Sequence, residues 1–92
     1  MMIEKIGIPA MLEQTAEECN ELAKALLKKA RKLRGENPTP LTMTEIDKDI
    51  TEEYTDVIQC TRELKLSVDW DQMRTKEERF IQRWNESHPE EA

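Results

Sequence analysis

Two acidic tetrads carry the chemistry that this sequence offers. Glu18-Cys19-Asn20-Glu21 follows Glu17, and Glu53-Tyr54-Thr55-Asp56 follows Glu52. Residues three apart share a helix face, so Glu18 with Glu21 and Glu53 with Asp56 are like-charge pairs, each costing about 0.2–0.5 kcal/mol in an isolated helix. No Lys or Arg lies within either tetrad. Oxygen-only donors gathered against that cost suit a hard cation such as Mg²⁺, which takes a few carboxylates and shares its sphere with waters and substrate phosphates. Further along, Lys76, Arg79 and Arg83 supply the opposite charge and suit a polyphosphate. A solvated acidic surface is the competing explanation. It covers Glu45 and Asp47, which sit early in a helix where the dipole favours acids, and the pattern alone leaves it open for the tetrads.

The elements that must position these residues are helices. Apolar residues recur at helical spacing through Ile8, Met11, Leu12, Cys19, Leu22, Ala23, Leu26, Ala30 and Leu33. Pro9 suits a first turn, Gly35 a left-handed stop, and Asn37-Pro38-Thr39-Pro40 a loop. Thr42 with Glu45 forms a capping box, and Leu41 can staple against Ile46. The second apolar line runs Met43, Ile46, Ile50, Tyr54, Val57, Thr61, Leu64 and Val68. A third helix starts near Asp69, box-like with Gln72, and shows Trp70, Met73, Phe80, Ile81 and Trp84 on one side. Short connections make neighbouring helices antiparallel, and strand signals are absent.

Register sharpens the case for the tetrads. At roughly 100° per residue, Glu53 falls about 40° from Val57, inside the apolar stripe, with Asp56 about 100° round on the same side. Glu18 lies about 100° from Cys19, at the edge of the first helix's stripe, and Glu21 further round. Measured from the loop, Glu18 and Glu21 stand roughly 21–26 Å along one helix and Glu53 and Asp56 roughly 17–21 Å along the other. In an antiparallel hairpin the four stand at the same level within about one turn, which allows them to converge. A third helix that folds back brings Arg79 and Arg83 to a similar level. Glu77 also falls in an apolar stripe, without any motif.

Composition bounds the rest. Of 92 residues, 37% are apolar and 37% charged, against about 45–50% and 25% in ordinary domains. One domain spans 1–92, with residues 1–7 and 87–92 as flexible ends. A core this thin is expected to be completed by a second copy. A net charge of −6 argues against nucleic acid and anionic membrane as partners, and no stretch approaches the roughly 20 apolar residues of a membrane span. Cys19 and Cys60 have no metal-type spacing and are expected as reduced thiols in a cytoplasmic protein.

The ordered pair of tetrads, with Glu17-Glu18-x-x-Glu21-Leu22 and Glu52-Glu53-x-x-Asp56-Val57 as flanks, resembles the ExxE…ExxD signature of MazG-like all-α nucleoside triphosphate pyrophosphohydrolases over roughly Met11 to Trp84. The resemblance implies Glu18, Glu21, Glu53 and Asp56 as catalytic Mg²⁺ ligands, with Mn²⁺ as a substitute, and Glu17 as a supporting acid. It implies phosphate contacts from basic residues beyond the second tetrad, for which Lys76, Arg79 and Arg83 are the candidates. It also implies hydrolysis of an NTP or dNTP to the monophosphate and pyrophosphate, as in nucleotide-pool housecleaning. The expected architecture is an antiparallel helical hairpin plus a third helix, completing a four-helix-bundle-type core as a homodimer or homotetramer. The gap between the tetrads is longer than usual for the signature, because both helices extend toward the loop. The alternative is a non-enzymatic helical oligomerisation or interaction module with solvated acidic faces. A di-iron bundle needs a Glu-x-x-His motif from each of two helices, and the sole histidine, His88, lies near the C-terminus. A related phosphoribosyl-ATP pyrophosphohydrolase shares the fold class, but no residue here points to it.

Overall fold

The computed structural model describes residues 1–36 and 40–90. Its regular structure is entirely helical, in the order α1 (Met2–Ile6), α2 (Ile8–Arg34), α3 (Met43–Glu63) and α4 (Trp70–Ser87). The Asn37-Pro38-Thr39 part of the expected loop and the last two residues of the tail lie outside the described residues.

Local chemistry sets most of the helix ends. α2 begins after Gly7, with Pro9 in its first turn, and stops at Gly35, whose φ of 74° is left-handed. The Glu36 N–H donates to the Arg31 carbonyl and the Gly35 N–H to that of Lys32, the Schellman pairing. α3 opens on the expected capping box. Thr42 Oγ1 accepts from the Glu45 N–H at 3.1 Å, and the Glu45 carboxylate accepts from the Thr42 N–H at 3.2 Å. At α4 only one half of the box forms, Asp69 Oδ1 accepting from the Gln72 N–H.

Two further ends complete the helices. Residues 2–6 form a short helix that ends at Gly7, and the Ile3 N–H donates to Glu63 Oε1 at 2.8 Å. α3 stops at Glu63 instead of running on toward Val68. Lys65 adopts φ 56°, and the N–H groups of Lys65 and Leu66 donate back to the carbonyls of Arg62 and Thr61. This is a second Schellman stop, built on a lysine.

α2 and α3 pack antiparallel, as cross-contacts from the loop outward show. Lys32 Nζ donates to the Leu41 carbonyl, Lys29 Nζ pairs with Asp47 Oδ1 at 2.6 Å, and Glu18 meets Asp56. The seam between them reads Met11, Thr15, Glu18, Leu22, Ala25, Lys29 and Lys32 on α2, and Ile46, Ile50, Glu53, Val57, Cys60 and Leu64 on the α3 side. All of these are buried or half-buried. The alternating four- and three-residue spacing is that of a coiled-coil seam. The first apolar line expected from sequence is therefore corrected, since Leu12, Cys19, Ala23, Leu26 and Leu33 are exposed. Likewise Glu18 belongs to the seam rather than to its edge.

The hairpin core is small, with Met11, Ala25, Ile46 and Cys60 as its buried apolar side chains among the described residues. α4 adds nothing to it, for every residue from Trp70 to Ser87 is exposed, including Trp70, Phe80 and Ile81. The chain's radius of gyration is 17.7 Å, against about 12 Å for a compact domain of this length. No helix among the described residues is long and apolar enough to cross a membrane.

Candidate functional site

The seam places two carboxylates where a coiled coil wants apolar side chains. Glu18 comes from the middle of α2 and Glu53 from the middle of α3, at facing levels. Asp56, one turn beyond Glu53, leans into the same space. One oxygen from each of the three lies within 4.8 Å of the others, and all three residues are half-buried. Ligands of an octahedral Mg²⁺ at about 2.1 Å stand about 3–4.2 Å apart, so the donor set fits a small hard cation after slight side-chain adjustment.

Glu21 belongs to the same neighbourhood but turns to Lys24, whose Nζ lies 3.2 Å from its carboxylate. Glu17 is exposed on the outer side of α2. Glu18 accepts a hydrogen bond from Gln14 Nε2 at 2.8 Å, which orients its carboxylate. The electrostatics record the crowding. Partial burial pushes the Glu53 carboxyl above the usual range, and Asp56, Glu18, Glu21 and Glu52 push it further. Two turns along α3 from Glu53, burial likewise raises the Cys60 thiol, against an opposing hydrogen bond with Thr15. Thr15 itself donates to the Met11 carbonyl at 2.7 Å.

A cleft of about 250 Å³ opens beside the cluster toward the loop end of the hairpin. Glu21, Lys24 and Lys28 line one wall, Asp49 and Glu53 the other, with Ala25 and Ile46 between them. Lys28 is half-buried and has no hydrogen bond or ion pair among the described residues. The sequence reading missed Lys24 and Lys28. The signal was present, since both continue the Glu21 face at i+3 and i+7. A larger concavity of about 600 Å³ lies along α4 between Arg74 and Glu86. That helix alone lines it, so it is an unpacked flank without a second wall.

The expected fold-back of α4 onto the acidic cluster is not found. Lys76, Arg79 and Arg83 ride on an exposed helix, and none of them pairs with a carboxylate among the described residues. Glu77 helps explain this, because it interrupts the α4 apolar stripe between Met73 and Phe80. Of the sequence candidates, the fold thus gathers Glu18, Glu53 and Asp56, pairs Glu21 with Lys24, and leaves Glu17 and the three α4 cations apart.

Fold and site together define an all-helical protein with a carboxylate cluster set into a helix-hairpin seam. No family model, no curated protein and no solved structure matches the chain. The likeness to the MazG-like signature therefore rests on the two tetrads and their flanks.

Proposed function

We propose that the chain is a Mg²⁺-dependent nucleoside triphosphate pyrophosphohydrolase that works as a homo-oligomer. One observation carries the reading: carboxylate oxygens of Glu18, Glu53 and Asp56 converge within 4.8 Å, with Glu18 and Glu53 at seam positions where the fold alone gains nothing from charge. Glu21 joins them by leaving Lys24. When bound there, magnesium offsets polyphosphate charge and polarises the attacked phosphorus. The chain's own residues do the remainder. The carboxylates orient the bound group and accept a proton from the attacking water, and Lys24 and Lys28 offer positive charge to phosphates entering the cleft. Lys76, Arg79 and Arg83 retain a phosphate role only in an assembly that brings α4 over a cleft. The thin core and the exposed apolar sides of α2 and α4 support self-association, in a bundle of two hairpins.

A helical interaction module is the second reading, favoured by the same exposed apolar residues. Calorimetric titration with Mg²⁺ and a non-hydrolysable triphosphate analogue separates the two. The enzyme reading expects binding in the wild type and its loss in Glu53→Gln with helicity retained. The module reading expects no binding in either.

A further inference from the structure

α2 carries a second seam that nothing among the described residues covers. Leu12, Ala16, Cys19, Ala23, Leu26, Ala30 and Leu33 follow the same alternating four- and three-residue spacing as the hairpin seam, shifted by one residue. One residue is about 100° around a helix, near the right angle at which a helix in a square bundle meets its two neighbours. Every seam position is apolar, yet Leu12, Leu26 and Leu33 are 53%, 49% and 68% exposed, and of the seven only Ala30 is even half-covered.

The occupant is written in the charges. All acidic residues of α2, namely Glu13, Glu17, Glu18 and Glu21, precede Ala23. All its basic residues, from Lys24 to Arg34, follow it. The seam is also nearly symmetric about Ala23, with Leu12 and Leu33 at its ends and Cys19 and Leu26 between. A helix of this kind is complementary to its own reverse. Parallel pairing sets acid on acid and base on base, whereas antiparallel pairing sets each acidic half on a basic half and opposes the two helix dipoles. α4 is a poorer occupant, because Glu77 breaks its stripe.

We propose that two copies of the chain dock antiparallel through α2, on a two-fold axis passing near Ala23. This rests on the self-association reading above and not on the enzymatic one. Leu12 then meets the partner's Leu33, Cys19 meets the partner's Leu26, and Ala16, Ala23 and Ala30 let the helices approach closely. Glu13 falls level with the partner's Arg34.

Disulfide trapping of the full chain tests register and direction together. A Cys19→Ser, Ala23→Cys variant places its two new thiols on the axis and should form a covalent dimer under mild oxidation. Wild type should not link through Cys19. Its two copies stand about 10 Å apart along the axis, beyond the roughly 7 Å Cα separation a disulfide spans. Cross-linking through Cys19 instead of Ala23→Cys would overturn antiparallel docking. A protein that sediments as a dimer but does not link at Ala23→Cys would overturn this surface while leaving self-association standing. A wild type that sediments as a monomer at micromolar concentration would overturn both.

Discussion

Replacing Glu53 by leucine separates the demands of the fold from those of the site. Glu53 occupies a seam position between Ile50 and Val57 and is half-buried. An apolar side chain there extends the small hairpin core. Fully burying a leucine is worth about 1.5–3 kcal/mol, so a half-covered one contributes roughly 1 kcal/mol, and it also removes a charge from beside Glu18 and Asp56. In a domain of this size about 1 kcal/mol raises Tm by roughly 4–8 °C. With chelator present, Glu53→Leu should therefore melt higher than wild type by about that amount. At a Mg²⁺ concentration ten times Kd, wild type gains about 1.4 kcal/mol while the variant gains nothing, so the order closes or inverts. Paired thermal scans by circular dichroism, in chelator and in Mg²⁺ at matched ionic strength, read both effects. A Glu53→Leu protein that melts below wild type in chelator would refute the reasoning, because the carboxylate would then be supporting the metal-free fold.

Other consequences follow from single residues. The Glu53 carboxyl is raised in the folded state, so in the window just above the usual carboxylate range the folded chain binds more protons than the unfolded one. Metal-free stability should fall as pH rises through that window. Glu53→Gln should flatten the slope, and a metal-free Tm equally pH-dependent in both proteins would contradict the assignment. Lys65, at φ 56°, occupies a position that favours glycine. Lys65→Gly should stabilise the fold by about 1 kcal/mol in urea unfolding, and a destabilised variant would show that the lysine side chain holds the α3–α4 turn. Lys28→Gln should raise KM for a triphosphate severalfold with Mg²⁺ affinity unchanged, and an unaltered KM would remove Lys28 from the phosphate path.

The hairpin and its carboxylates were legible in the sequence because local rules write them. The Thr42–Glu45 box, Pro9 and Gly35 mark helix ends, and constant rise per residue brought Glu18 level with Glu53 and Asp56. Which face of α2 turns inward was not legible. α2 has two apolar seams one residue apart, and averaging them placed the stripe between them, which moved Glu18 to an edge and counted Leu12 and Leu26 as core. The end of α3 was hidden because Lys65 takes a left-handed turn that glycine usually announces. Glu21 was expected beside the other three acids, but spacing fixes only its Cα. Its rotamer goes to Lys24, a neighbour one turn away.

The most direct test of the functional account is product analysis. The wild-type chain is incubated with Mg²⁺ and a panel of standard and modified nucleoside triphosphates, and pyrophosphate is resolved from orthophosphate. The account predicts monophosphate and pyrophosphate in equal amounts from at least one nucleotide, with loss of turnover in Glu53→Gln. Release of orthophosphate, or turnover that survives Glu53→Gln, would contradict it.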